Sequence, residues 1–264
     1  IKGITLREVM DDYAHHKKNL IKDKTIRDYQ IIFNGYLSEW KDKELNSIKR
    51  SMVEKKHRAI GTTSIYRANA TMRLLRALFN FANGEYEDSD GEPIIQHNPV
   101  VKISLKKAWF REKVRTNIIH PNELKNWFDA VTSLPFHTAN ITHKNTSETV
   151  RDYLIVMLFT GLRPGEAINL KWGDIDFINN LLHIEDTKNH EEHTLPLTSY
   201  LMSILRRRKD ESTGSVVFPG YNPNKSLVNS NKQVKKVIKS SGVKFLLHDL
   251  RRTFATYADS LSIQ

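Results

Sequence analysis

Apolar residues recur at steps of three and four through much of the first hundred positions of this 264-residue chain. Ile26, Tyr29, Phe33, Leu37 and Trp40 trace one such stripe, and Ile65, Ala68, Met72, Leu75, Phe79 and Ala82 trace another. That spacing gathers the residues on one face of an α-helix and would scatter them over both faces of a strand. Punctuation between the stripes predicts four helices. Thr5 with Glu8 reads as a capping box ahead of Leu6, Val9, Met10 and Tyr13, and Asp23 is expected to cap the second helix. Ser51 with Glu54 repeats the box before a third helix that Gly61 ends, and a fourth runs from about Ser64 to Asn83–Gly84.

From Asn83 to Pro99 the chain (NGEYEDSDGEPIIQHNP) is acidic and turn-rich. Lys102, Lys106, Lys107 and Arg111 then populate a segment without a clear period. The organisation expected is a helical domain over 1–105, a basic linker over 106–116 and a second domain over 117–264. In that second domain Pro121 opens a helix carrying Leu124, Trp127, Phe128 and Val131, and Ser147 or Glu148 starts an apolar helix that ends at Phe159. Gly161 supplies a left-handed residue after it. Leu181–Ile184 and Thr194–Leu197 read as strands around a charged turn, and further helices are expected over Ser199–Arg208, Ser230–Ser240 and His248–Asp259. The fold class is therefore a mainly α, two-domain protein: an N-terminal four-helix bundle and a mostly helical α+β domain with a small antiparallel sheet.

Charge narrows the function. Lys and Arg outnumber Asp and Glu by 41 to 30, a net +11, and the excess is spread over both halves. Two basic halves suit a clamp around a polyanion, because each phosphate contact releases condensed counterions. No acidic residue occurs from Lys55 through Gly84, although Lys55, Lys56, Arg58, Arg67, Arg73 and Arg76 do. A solvated helix face would mix signs to gain i,i+4 pairs, so a one-sign face points to phosphate contact. Lys106 and Lys107 extend this candidate DNA-binding set. The absence of cysteine excludes disulfides and thiol chemistry and fits a reducing cytoplasm. The longest apolar run, Tyr153 to Phe159, is too short to span a bilayer, and a secretory signal is not expected. The chain begins at Ile1 and not at Met, so the native N-terminus is expected upstream.

Three places in the second half combine charge with structural punctuation. In TGLRPGEAINLKW, residues 160–172, Arg163 follows a glycine turn, Pro164 opens the next helix, and Glu166 lies one turn away, where it can hold the guanidinium. Lys188 occupies the tip of the expected hairpin. In HDLRRTFATYA, residues 248–258, His248 and Arg251 share a face at a helix start, with Leu250, Phe254 and Ala258 expected on the buried side. Together they make a phosphate site of two arginines, one histidine and one lysine, with no obvious metal cluster. Arginines can stabilise a pentavalent transition state, and a lysine can protonate a departing hydroxyl. His190 and His193 sit at i and i+3 in the turn, not at the i and i+4 spacing of a zinc helix.

The order GLRPGE, then TK in a hairpin, then HDLR closely resembles the tyrosine recombinases, in particular phage and mobile-element integrases. With the helical first domain closing at Asn98–Pro99, the resemblance covers nearly the whole chain. It implies that Arg163 and Arg251 clamp the scissile phosphate, that Lys188 is general acid toward the 5′-hydroxyl, that His248 assists proton transfer, and that Glu166 supports Arg163. It implies a SAM-like core-binding domain that closes with the catalytic domain as a C-shaped clamp, and a strand exchange that integrates or excises an element through a 3′-phosphotyrosyl intermediate. The partners implied are a double-stranded DNA attachment site, three further copies in a synaptic homotetramer and accessory DNA-bending proteins, without cofactor, metal or membrane. In this family a second His or Trp and then the nucleophilic tyrosine follow well downstream of Arg251. Tyr257 is too near, so the nucleophile is expected outside this chain, as is any arm-binding domain upstream of Ile1. The alternatives are a DNA-binding module or decayed integrase without catalysis, and a type IB topoisomerase-like enzyme.

Overall fold

The computed structural model describes residues 3–134, 141–184 and 192–261. The chain divides into two compact units, Ile1–Val114 and Arg115–Gln264. Both are mainly helical, and the second carries a small antiparallel sheet. None of the described helices is long and apolar enough to cross a membrane.

In the first unit α1 (Leu6–His16), α2 (Asp23–Tyr36) and α3 (Arg50–Gly61) all pack on α4 (Ile65–Glu85), and a short α5 (Val101–Leu105) follows. Leu6 and Val9 of α1, Phe33 of α2, Val53 of α3 and Met72, Leu75 and Phe79 of α4 fill one core. The Thr5–Glu8 box forms in both directions, and the Ser64 hydroxyl caps α4 by accepting from the Arg67 amide. Two expected caps do not form. Asp23 is the first residue of α2 rather than its cap, which falls on Lys22, and its carboxylate acts on the helix dipole instead. Ser51 lies inside α3, whose cap falls on Lys49, and Glu54 is drawn elsewhere. Its carboxylate accepts from Arg58 at 2.7 Å, Lys106 at 3.1 Å and Lys102 at 3.2 Å. The Lys106 and Lys102 hydrogen bonds hold its carboxyl down at about 2. Three cations outcompete one serine for a carboxylate. The stretch beyond Leu105 is also no free linker, since Trp109 and Phe110 pack against the first core.

In the second unit α6 (Pro121–Thr132) and α7 (Ile141–Thr160) lead into a very short α8 (Pro164–Ile168). Strands β1 (Ile175–Asp176), β2 (Leu181–Ile184) and β3 (His193–Pro196) follow in that order, with Ile175 opposite Leu182 and Leu182 opposite Leu195. Helices α9 (Ser199–Asp210), α10 (Asn231–Ser241) and α11 (Leu247–Ser260) complete the unit. Trp127, Leu154, Leu182, Leu201, Phe218, Val237 and Leu250 share its core. Helix α7 begins at Ile141, earlier than its apolar run suggested, because its first turns are polar and give no periodic signal. Its buried Asp152 is neutralised by Arg151 at 2.8 Å, Arg207 at 2.7 Å and Arg208 at 3.0 Å, as a desolvated carboxylate requires.

Candidate active site

Helix α7 stops where Gly161 takes a φ of +64°, a conformation that side chains rarely adopt. A Cβ there would also come within 2.2 Å of the Phe254 ring of α11, so backbone and space both demand glycine. The same helix grips the turn a second time, through Arg251 Nη1 donating to the Gly161 carbonyl at 2.6 Å. Two residues on, Arg163 caps α8, with Pro164 as the first helical residue and the Tyr153 hydroxyl donating to the Pro164 carbonyl at 3.1 Å. Glu166 accepts from the Arg163 amide at 2.9 Å with one carboxylate oxygen and from Arg163 Nη1 at 2.7 Å with the other. Burial alone would raise the Glu166 carboxyl. The Arg163 hydrogen bonds, with the charges of Arg163 and Arg251, outweigh it and hold the group below its ordinary range.

Arg163 and Arg251 are thus brought to one turn from distant parts of the sequence. Among the described residues, Nε and Nη2 of both guanidiniums have no hydrogen-bond partner. The Arg163 side chain remains 30% exposed while its Glu166 partner is 10% exposed, so the carboxylate anchors from below and the cation faces outward. Such an arrangement can present paired N–H groups to a tetrahedral anion.

His248 is exposed in the first turn of α11, one turn before Arg251. That turn is built by Asp249, which was not among the expected site residues. Its buried carboxylate accepts from the Leu246 amide at 2.9 Å and from Arg252 Nη1 at 2.7 Å, which commits Arg252 and leaves Arg251 to the glycine turn. The buried face of α11 also differs from expectation: Asp249, Leu250 and Thr253 are buried, whereas Phe254 and Ala258 are half-exposed. Thr253 is inward because its hydroxyl accepts from the buried Ile119 amide at 2.9 Å. Lys188 and His190 lie outside the described residues. No group of three or more His, Asp or Glu side chains among the described residues is placed to hold a metal ion.

Glu166→Gln offers a test of the anchor. Because the folded carboxyl is held low, its contribution is present above the ordinary carboxylate range and is lost as pH falls through the folded value. Urea unfolding is expected to show a deficit of roughly 1–3 kcal/mol for the variant at neutral pH. The deficit should shrink below the ordinary carboxylate range; a deficit unchanged at low pH would mean that the ion pair contributes nothing.

The basic residues of the first unit are only partly uncommitted. Lys56 pairs with Glu39 at 3.0 Å, Arg58 and Lys106 with Glu54, and Arg73 with Glu112 at 2.7 Å, while Arg76 lies over the Trp109 ring. Lys55, Arg67 and Lys107 are exposed. A second one-sign surface was missed in the sequence although the same criterion would have found it. No acidic residue occurs from Ser212 through His248, and Lys232, Lys235, Lys236 and Lys239 recur at helical spacing on the exposed face of α10. Its opposite face buries Gln233 and Val237.

The fold defines a class. A lambda integrase dimer bound to a COC′ core site superposes with a TM-score of 0.73 at 20% identity, covering 98% of this chain and 92% of that one. A lambda integrase tetramer bound to a Holliday junction gives 0.72 at 20% identity, over 97% of this chain and 74% of that one. Tyrosine recombinase XerA of Pyrococcus furiosus is 28% identical over 96% of this chain and 81% of its own length. Residues 120–258 match the phage integrase family, and the chain belongs to that family of tyrosine recombinases.

Proposed function

We propose that the chain carries the DNA clamp and the phosphoryl-transfer site of a site-specific recombinase that integrates or excises a phage or mobile element. The observation that carries the reading is the convergence of Arg163 and Arg251 on the Gly161 turn, with guanidinium donors left open among the described residues and with Glu166 behind. The two arginines clamp the non-bridging oxygens of the scissile phosphate, and Glu166 positions Arg163. A tyrosine hydroxyl gives up its proton by way of His248 as its oxygen bonds phosphorus, the bond from phosphorus to the 5′-oxygen breaks, that oxygen takes a proton from Lys188, and a 3′-phosphotyrosyl ester remains. His248 assists that proton traffic. The first unit acts as the core-binding domain and the second as the catalytic domain, on a duplex attachment site, with four copies in the synaptic complex and accessory DNA-bending proteins. The tetramer recorded for lambda integrase on a Holliday junction supports the last number. In this reading the chain acts in the cytoplasm, on its DNA.

Binding is tested by titrating duplex DNA against salt. The expected log–log slope is about −5 or steeper, since each neutralised phosphate contributes close to one unit. Arg67, Arg73 and Arg76 replaced together by Ala should flatten it, and so should Lys235, Lys236 and Lys239 replaced together. A slope unchanged in either triple variant removes that helix from the DNA surface.

A further inference from the structure

Residues 106–113 lie across α3 and α4, and one buried side chain reads their backbone. Asn69, 1% exposed, accepts from the Phe110 amide at 3.3 Å with its oxygen. Its nitrogen donates to the Phe110 carbonyl at 2.9 Å and to Glu112 Oε1 at 2.8 Å. A single side-chain amide thus pairs with both backbone groups of one residue, as a neighbouring strand would. These bonds fix which end of the amide is oxygen, so buried His57, whose Nε2 lies 3.0 Å from that oxygen, must be the donor. The His57 ring packs on the Phe110 ring with centroids 4.6 Å apart. Gly61 leaves the space that ring needs, since a Cβ there would lie 2.2 Å from it. Farther along, Arg73 fixes Glu112 and the Tyr66 hydroxyl donates to the Lys113 carbonyl at 3.2 Å.

A linker in solvent needs none of this, because water satisfies its backbone. Asparagine inside a helix is moreover a poor helix former that an apolar residue would outperform if filling the core were its only task. Beyond Lys113 no hydrogen bond to the backbone of residues 114–118 is found among the described residues. Residues 114–117 are exposed, and the next anchored backbone group among the described residues is the Ile119 amide on Thr253.

We propose that residues 110–113 form a strap, held by Asn69 and His57, which shortens the free tether between the two units to residues 114–118 and thereby raises the strength with which they act together on DNA. The coupling to DNA rests on the recombinase reading; the strap itself does not. Asn69 and His57 are positioning residues in this scheme. Residues 106–109 stay bonded to α5 through the Lys106, Lys107 and Ala108 amides and the Trp109 indole, so releasing the strap lengthens the tether to residues 110–118. The effective concentration of one unit near the other's binding site falls as about the −3/2 power of tether length, a loss of about two- to threefold.

Amide hydrogen exchange on the whole chain tests the strap, with duplex binding at fixed salt as the second arm. The Phe110 amide should be protected in the unaltered protein, while those of Arg115, Thr116 and Asn117 exchange freely. Asn69→Ala should bring Phe110 to within about tenfold of Thr116 while Leu75 and Leu78 of α4 stay protected. Phe110→Ala, which alters only the strap side, should do the same at the amide of residue 110, while the Ala108 amide, bonded to the Ile103 carbonyl, stays protected. The duplex Kd should rise about two- to threefold in both variants. Phe110 exchanging as fast as Thr116 in the unaltered protein, or protection that survives both substitutions, overturns the strap. Loss of Leu75 and Leu78 protection in both variants also overturns it, because the segment would then be core. Exchange released without a change in Kd overturns the coupling. An unaltered chain that binds no duplex overturns the recombinase reading and the coupling with it, while the exchange result still decides the strap.

Discussion

Replacing Arg251 by Ala, in a recombinase that contains this chain together with its nucleophile, should lower DNA strand cleavage by about 10³-fold or more. Among the described residues the guanidinium spends only Nη1, on the Gly161 carbonyl, and in the proposed reading its remaining N–H groups meet the developing charge on a pentavalent phosphate. Duplex affinity should change only a fewfold, because one contact among many is lost. Arg163→Ala should cost as much, and it also strips Glu166 of its cation, so its unfolding free energy should fall by a further roughly 1–3 kcal/mol. Arg163→Lys or Arg251→Lys should restore charge but not the paired N–H geometry, and recover only a part of the rate. The measurement is single-turnover cleavage of an attachment-site duplex beside a urea melt of each variant. Cleavage within about tenfold of the unaltered enzyme for either Ala variant would remove that arginine from the transition state.

The turn that carries this prediction was legible because its requirements are local. A glycine that must adopt positive φ, a proline at the first helical position and a carboxylate three residues later are all written within GLRPGE. The helical stripes of the first unit were legible for the same reason, through a period that any short window reveals. What joins distant segments was not. Nothing near Arg251 announces that its hydrogen bond goes to the Gly161 carbonyl, or that Phe254 fills the space over that glycine. Asp249 reads as the second letter of a motif, whereas in the fold it ties the Leu246 amide and Arg252 and so determines which of two adjacent arginines is available.

Local signatures also failed where long-range partners competed for the same group. Ser51 and Glu54 carry the spacing of a capping box, but Arg58, Lys102 and Lys106 claim the carboxylate. The acid-free run from Lys55 to Gly84 overstated its unanswered charge, because Glu39, Glu54 and Glu112 reach Lys56, Arg58 and Arg73 from outside the run. Counting charges along the chain measures a neighbourhood in sequence, whereas electrostatic partners are neighbours in space. The α10 lysines survive that correction, since none of them forms an ion pair among the described residues.

A polypeptide of these 264 residues should bind duplex DNA and yet form no covalent adduct with it. The tyrosines that flank the glycine turn and α11 are committed to structure. Tyr153 is buried and donates to the Pro164 carbonyl, and burial pushes its phenol well above the ordinary range. Tyr257 donates to the Ile119 carbonyl at 2.9 Å, and desolvation, with the Glu123 charge, raises it too. A nucleophile needs the opposite: a hydroxyl free to turn toward phosphorus and a phenol that loses its proton readily. The assay is a suicide substrate nicked beside the cleavage position, scored by a DNA shift that survives denaturation. Adding the family's downstream tyrosine segment should produce the adduct, and Tyr257→Phe in that longer protein should leave it within a fewfold while costing about 1 kcal/mol of stability through the lost Ile119 contact. An adduct from the 264 residues alone that disappears in Tyr257→Phe would make Tyr257 the nucleophile. The hydroxyl would then have to leave the Ile119 carbonyl to reach DNA, and α11 would have to be a moving element rather than the support on which Arg251 grips the turn.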